Sequence, residues 1–184
     1  MEDLSLHILD VMENSIRAEA DRIEVRIDED LDQGMLTLGI RDNGKGMDAQ
    51  KLAQATDPFF TTRTTRRFGL GLSLLSQAAE ATGGSLAVES APGKGTRVTA
   101  IFHRDHIDMK PLGDIPQTLL TLIAGRPDVD FLYSHRIDGE EFLFDTRDFR
   151  GVPLGSAPVL MQLAELMRDG LAQLRSRAQD IHGP

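Results

Sequence analysis

Three glycine-bearing segments could contact a nucleotide, and an asparagine in a predicted helix precedes all of them. The segments read RDNGKGM at 41–47, GLGL at 69–72 and GKGT at 93–96, and the asparagine is Asn14. Glycine tolerates positive φ and lets the backbone approach a ligand closely, so glycines beside charged residues are typical of nucleotide contacts. Each segment alone is a weak signal. Together, and in this order, they predict an ATP site.

Phosphate binding is predicted where the second glycine segment runs into an apolar helix. Gly69 and Gly71 stand at the start of that helix, where free backbone N–H groups and the helix dipole favour phosphate oxygens. A basic run, RTTRR at 63–67, comes directly before it. Such a run is also typical of a solvated loop. Its position beside Gly69 favours attraction of phosphate, with Arg63 as the candidate contact.

The spacing of apolar residues predicts the helices and strands that hold these segments in place. We expect a helix at 4–20, strands at 22–28 and 35–41, helices at 48–55 and 69–81, and strands at 85–90 and 96–102. Asp48 fits an N-cap. This order predicts a two-layer α/β (α+β) sandwich with helices on one face of a mixed sheet. It does not fit a doubly wound parallel sheet.

The pattern changes after the last of these strands. Asp114 can cap a helix, the alternating residues at 131–144 predict a hairpin that turns at Asp138–Gly139, and Ser156 opens a last helix to about residue 177. We therefore predict an ATP-binding domain at 1–104 and a small α-β-β-α unit at 105–184. Because about 80 residues is small for an independent core, this unit should pack on the first domain or on another subunit. The last helix is either a docking or dimer surface, which would allow a homodimer, or simple packing onto the sheet.

Composition limits the classes of partner. The chain has 184 residues, of which 40% are hydrophobic and 27% charged, as in soluble globular proteins. No stretch approaches the roughly 18 apolar residues of a membrane span, and no signal-sequence pattern opens the chain. The formal net charge of −9 argues against binding to nucleic acid or to an anionic membrane. The absence of cysteine excludes disulfides and thiolate metal sites, and a cytoplasmic location is expected.

Residues 4–102 resemble the ATP-binding domain of the GHKL-type superfamily, which histidine kinases share with gyrase-type topoisomerases, mismatch-repair ATPases and anti-sigma serine kinases. The segments DPFFTT at 57–62, GLGLSL at 69–74, GGSLAVES at 83–90 and GKGT at 93–96 are especially similar to histidine kinases. The resemblance covers a little over half of the chain. It implies the Bergerat-type ATP-binding fold, with ATP and Mg²⁺ as cofactors.

The resemblance also implies roles for individual residues. Asn14 would offer its side-chain oxygen to Mg²⁺, Arg17 would meet a phosphate, and Asp42 would accept a hydrogen bond from the adenine amino group. Thr96 would support the same adenine edge. The full set of cofactor-binding candidates is Asn14, Arg17, Asp42, Gly44, Gly46, Met47, Arg63, Gly69, Leu70, Gly71, Leu72 and Thr96.

The fate of the ATP depends on Asp10, which precedes Asn14 by one helical turn. Related branches have a glutamate general base at this spacing, so Asp10 is the catalytic candidate, although it could instead belong to the metal shell. No helical hairpin with a phosphoacceptor histidine is expected before the first helix. We therefore expect a regulatory ATPase or protein kinase that acts on a separate partner protein. The alternatives are an anti-sigma-like serine kinase and a non-catalytic, ATP-responsive binding module.

Overall fold

The computed structural model describes residues 3–56 and 70–182, which form a six-stranded mixed sheet and the helices that cover one of its faces. The helices are α1 (Leu4–Arg17), α2 (Ala49–Thr56), α3 (Leu70–Ala81), α4 (Ile115–Gly125) and α5 (Ala157–His182). The strands are β1 (Arg22–Asp30), β2 (Met35–Asp42), β3 (Ser85–Ser90), β4 (Thr96–His103), β5 (Asp130–Ile137) and β6 (Glu140–Asp145). A short 3₁₀ helix, Thr146–Phe149, follows β6.

The sheet has the strand order β3-β4-β2-β1-β5-β6. Its neighbours are antiparallel except for the parallel pair of β1 and β5. In β1 the alternate residues Ile23, Val25 and Ile27 are buried against the helices, as the period-two pattern predicts. The predicted fold class, a mixed sheet with helices on one face, is confirmed.

Several helix ends and turns follow the predicted local chemistry. The carboxylates of Asp48 and Asp114 accept hydrogen bonds from the N–H groups of Lys51 and Gln117, three residues further on, as N-caps do. The β5–β6 hairpin turns at Asp138 and Gly139, whose φ values of 48° and 90° match a type I′ turn.

Helix α1 ends three residues earlier than predicted. The Ala18 N–H donates to the Asn14 carbonyl, and Glu19 takes the left-handed conformation at φ 63°. The Ala20 N–H then donates back to the Ser15 carbonyl, which closes the helix in the manner of a C-terminal capping motif. This early end leaves the Ala18 carbonyl available to the turn that follows β2.

The residues from 105 onward complete the sheet that the preceding residues begin. Strand β5 lies beside β1, and Leu163, Met167, Leu171 and Leu174 of α5 are buried in the same hydrophobic cluster as Leu4 of α1. The apolar stripe of the last helix is therefore packed, while a partner-docking role for its exposed side remains a prediction. Within the described ranges, no helix is long and apolar enough to cross a membrane.

Candidate functional site

The carboxylate of Asp42 lies at the end of β2 and is held from three directions. Its Oδ1 accepts hydrogen bonds from the N–H groups of Gly44 (2.9 Å) and Thr96 (3.1 Å), and its Oδ2 accepts one from the Ser15 hydroxyl (2.6 Å). The side chain is buried. Because a carboxylate has about four acceptor positions, one remains on the Oδ2 side for a further donor.

The turn after β2 is fixed against the end of α1. The Lys45 N–H donates to the Ala18 carbonyl at 2.9 Å. A Cβ atom at position 44 would lie 2.6 Å from that same carbonyl oxygen, so only glycine fits there. The turn therefore needs Gly44 for packing within the chain. The sequence alone predicts a different role for this glycine, the close approach of a ligand.

The same turn also packs against the turn between β3 and β4. Gly46 has a φ of 66°, and a Cβ atom there would lie 2.0 Å from the Ala91 carbonyl oxygen. The Met47 N–H donates to Ser90 Oγ at 2.9 Å, and Ser90 Oγ lies 2.9 Å from Thr96 Oγ1. Met47 and Thr96 therefore join the network around Asp42 through Ser90.

Asn14 and Arg17 form a pair on the last turn of α1. Arg17 Nη1 donates to Asn14 Oδ1 at 2.8 Å, and Arg17 Nη2 donates to Glu13 Oε2 at 2.8 Å. The Arg17 side chain is 44% exposed, so it can move without disturbing the core. In this arrangement, the amide oxygen predicted to hold Mg²⁺ accepts from a guanidinium, so a metal ion at this oxygen would lie close to the positive charge of Arg17 unless that side chain moved.

Asp10 lies where α1 and α3 approach each other closely. A Cβ atom at position 71 would lie 2.6 Å from Asp10 Cβ, so Gly71 permits this approach. Asp10 is exposed, and it makes no hydrogen bond or ion pair with any residue that the structure describes. Its carboxylate is thus available one helical turn from Asn14.

Two further residues predicted to bind the cofactor, Leu70 and Leu72, belong to α3. Leu70 begins α3, and the Leu72 side chain is buried in the hydrophobic core. Arg63 and Gly69 lie outside the described residues. The structure thus brings Asp42, Gly44, Gly46, Met47 and Thr96 together around one turn, and it brings Asp10 and Gly71 together where α1 and α3 approach each other.

The sequence interpretation missed three polar side chains that build the site. Ser15 and Ser90 hold Asp42 and Met47, and Asn43 Oδ1 accepts from the N–H groups of Asp21 and Arg22 at the start of β1. Ser15 did carry a signal. It occupies a position on the apolar stripe of α1, and a buried polar side chain needs a partner.

The donor set suits a magnesium ion that is held mainly by phosphate and water. Among the described residues, no group of three or more His, Asp or Glu side chains could hold a metal. Mg²⁺ keeps several waters and needs only one or two protein oxygens when phosphates complete its shell. The Asn14 amide oxygen therefore fits Mg²⁺ bound with a nucleotide, and it does not make a metal site by itself.

A second buried polar cluster lies at the opposite end of β1. His135 Nε2 lies 2.7 Å from Glu29 Oε1, and the Tyr133 hydroxyl lies 2.9 Å from His135 Nδ1. The hydrogen bond from His135 holds the pKa of Glu29 below its ordinary value, and burial raises the pKa of Tyr133. Glu29 lies opposite Leu36, six residues from Asp42 in strand register, and Tyr133 and His135 lie on β5, two strands away from β2. This cluster therefore belongs to the core and not to the site.

The fold is an α/β sandwich in which a buried carboxylate and its hydrogen-bonded turn lie at the end of a central strand. Comparison with known proteins identifies the class. The family model described as "Histidine kinase-, DNA gyrase B-, and HSP90-like ATPase" matches residues 2–106, more than half of the chain. The chain belongs to this family and contains an ATP-binding, kinase-like domain.

Similar proteins include bacterial sensor kinases. The chain is 43% identical over 77 residues to a putative sensor protein of Shewanella frigidimarina, covering 41% of this chain and 12% of that protein. It is 39% identical over 95 residues to the sensor protein kinase FleS of Pseudomonas aeruginosa, covering 52% of this chain and 23% of that protein. The chain thus spans only a small part of these relatives.

A solved structure supports the fold alone. The N-terminal domain of a DNA repair protein superposes with a TM-score of 0.57 over 79% of this chain and 53% of that chain, at 19% sequence identity.

Proposed function

We propose that the chain binds Mg²⁺-ATP between α1, the turn at 42–47 and the start of α3, and that it hydrolyses the ATP or transfers the γ-phosphate to a separate partner protein. The observation that carries the proposal is the buried carboxylate of Asp42, which three donors fix in place while one acceptor position remains. The matched family and the sensor-kinase relatives support the same assignment.

Adenine is the base that suits Asp42. Its exocyclic amino group is a donor and can use the remaining acceptor position, whereas the carbonyl of guanine offers no donor to a carboxylate. Thr96 donates its backbone N–H to Asp42 Oδ1, and its side chain could support the adenine edge directly or through a water molecule. Asp42 therefore provides the selectivity for adenine nucleotides.

Arg17 and Asn14 are positioned to receive the phosphates and their metal. Arg17 forms an exposed pair with Asn14 and Glu13, and exposed pairs of this kind are weak. In the bound state Arg17 turns to a phosphate, for which its forked donors are well suited. Asn14 Oδ1 is then released for Mg²⁺, which neutralises negative charge on the phosphates when it is bound.

Asp10 is the proposed general base. It would accept the proton from a water molecule or a partner hydroxyl that attacks the γ-phosphate, while the bond from the γ-phosphorus to the bridging oxygen breaks and ADP leaves. Its exposed carboxylate makes no competing hydrogen bond with the described residues. The lack of a hydrogen-bonded neighbour also favours a second candidate, because catalytic bases are usually oriented by a neighbouring group. This second candidate is a non-catalytic module that changes partner binding with nucleotide state.

Binding is tested by titrating the purified chain with ATP, with Mg²⁺ or with EDTA. Asn14→Ala should weaken ATP binding about tenfold in Mg²⁺ and leave it unchanged in EDTA. Gln50→Ala, at an exposed position on α2, is the control and should match the original chain in both conditions. If Asn14→Ala has no effect in Mg²⁺, the assignment of Asn14 as the metal ligand is wrong.

Chemistry is tested with ATP labelled on the γ-phosphate, with the purified chain alone and after addition of cell extract. Asp10→Asn should lower hydrolysis or transfer by about a hundredfold or more without changing ATP affinity. The control is Glu165→Gln, an exposed acidic position on α5, which should match the original chain. Equal turnover by Asp10→Asn and the original chain would rule out the base assignment. Tight ATP binding without hydrolysis or transfer by the original chain would instead establish the non-catalytic module.

A further inference from the structure

The sheet face opposite the helices has a concave, polar surface. A cavity of about 370 Å³ lies across β1, β2, β4, β5 and β6 on this face. Among the described residues no helix covers it, because α1, α3, α4 and α5 contribute to the core on the other side. We call this surface the open face, and the residues that line it include Arg26, Gly39, Arg41, Arg97 and Thr99.

The open face differs in charge from the rest of the chain. Four arginines and three acidic residues line its cavity, whereas the whole chain has a net charge of −9. Two of the arginines have partners: Arg26 pairs with Glu24 at 3.2 Å, and Arg136 pairs with Asp28 at 3.7 Å.

The other two arginines, Arg41 and Arg97, lie directly opposite each other in the register of β2 and β4. Neither makes an ion pair with any residue that the structure describes. Like charges directly opposite each other destabilise a sheet. On its other side each arginine lies opposite an acidic residue, Arg41 opposite Glu24 and Arg97 opposite Glu89. Since neither of these pairs closes into an ion pair, the two adjacent guanidinium groups are available to an anionic partner.

Gly39 gives an independent reason to expect a close approach from outside. It lies in the middle of β2, and the register runs through it without a bulge on both sides. A Cβ atom there would meet only Arg26, at 3.8 Å and 3.9 Å, which is ordinary contact. Glycine weakens a strand interior, and it often marks a place where another backbone comes close. Since nothing within the described chain requires glycine here, Gly39 leaves a notch in the open face.

We propose that the open face docks an acidic segment of a partner protein. The carboxylates of the segment pair with Arg41 and Arg97, and its backbone passes over the notch at Gly39. Charge complementarity selects this occupant, because arginine forks bind carboxylates in a two-pronged geometry. This surface lies on the opposite side of the sheet from Ser15 and the Asp42 carboxylate, so the proposal does not depend on ATP binding or catalysis.

The charge requirement is tested by fluorescence anisotropy, without nucleotide, using a short labelled peptide of alternating Glu and Ser residues. The original chain should bind it in a salt-sensitive manner, and it should not bind the matching Lys and Ser peptide. The double variant Arg41→Gln, Arg97→Gln should weaken binding about tenfold. Arg168→Gln, an exposed arginine of α5, should not. Absence of binding by the original chain, or equal weakening by Arg168→Gln, would overturn the proposal.

The notch is tested with Gly39→Val. Valine favours strands and fits the open space, so thermal unfolding should occur at the same temperature or a higher one, while the Glu and Ser peptide should bind at least several-fold more weakly. Unchanged peptide binding would show that Gly39 is not part of a docking surface. Sedimentation of the same variants tests whether the open face binds a second copy of this chain instead. If the original chain self-associates and the double arginine variant does not, the open face is a contact between copies and the proposal of an acidic partner is wrong.

Discussion

Replacing Asp42 with asparagine should change which nucleotide base the chain prefers while leaving the fold in place. The orientation of the new amide is determined by its surroundings. Two backbone N–H groups, from Gly44 and Thr96, donate to Oδ1, so the amide oxygen must occupy that position. The Nδ2 group then replaces Oδ2, where the Ser15 hydroxyl can rotate to accept from it.

The magnitude follows from this orientation. Three hydrogen bonds to a charged group become neutral ones, which costs about 1–3 kcal/mol of folding stability. At the base, the adenine amino group would meet a second donor. A donor left without an acceptor costs about 2–3 kcal/mol, so ATP binding should weaken roughly 30- to 150-fold. The carbonyl of the inosine base would gain a donor, and ITP binding should strengthen relative to ATP.

Competition against a fluorescent ATP analogue measures both nucleotides, and circular dichroism melting confirms that the variant is folded. Asp48→Asn is the matched control because it removes the same charge from an exposed N-cap, where asparagine is equally suited. A folded Asp42→Asn variant that binds ATP as tightly as the original chain would refute the placement of adenine at Asp42. An unchanged ratio of ATP to ITP affinity would refute it as well.

Two predictions concern the C-terminal part of the fold. Gly170→Ala places a Cβ atom 2.1 Å from the Phe142 ring. Because the cost of overpacking exceeds the gain in helix propensity, the free energy of unfolding measured in urea should fall by about 2 kcal/mol. Gly155→Ala meets nothing closer than 3.6 Å and should be nearly neutral; equal stability of the two variants would contradict the packing of α5 on β6. Because the hydrogen bond from His135 lowers the pKa of Glu29, this pair stabilises the fold above the ordinary carboxyl pKa and loses that stabilisation as the pH falls through the lowered value. Glu29→Gln should therefore lessen the acid sensitivity of unfolding in a urea series over pH, and an unchanged pH profile would contradict the pairing.

Local chemistry in the sequence predicted much of the fold. Strand β3 runs from Ser85 to Ser90 as expected, and Asp114 and the Asp138–Gly139 turn perform their predicted tasks. Each of these features is determined by residues that are close together in the chain, so the sequence alone is enough to predict it. The parallel pairing of β1 with β5 joins strands about a hundred residues apart, and periodicity does not identify such a partner.

In the candidate site as well, the sequence predicted which residues matter but not which residues they contact in the folded chain. The ordered motifs located Asp42 and its turn, but they did not give the reasons for the glycines. Gly44 and Gly46 are explained by carbonyl oxygens of Ala18 and Ala91, which only the folded chain brings close. The contact of Arg17 with Asn14 was likewise not expected, because helical spacing allows both side chains to face a ligand and does not decide whether they first bind each other.

The C-terminal residues matter to the site through the sheet. The family match ends at residue 106, and a sheet that ended there would leave β1 as an edge strand beside Asp42. An unpaired edge with buried residues such as Ile23 and Val25 is a template for wrong pairing. Strand β5 covers that edge, and β6 with Glu140 and Glu141 forms the new, charged edge. The backbone N–H groups of Asp21 and Arg22, at the start of β1, donate to Asn43 Oδ1 and fix the turn after Asp42. By holding β1 in place, β5 therefore supports the position of the carboxylate.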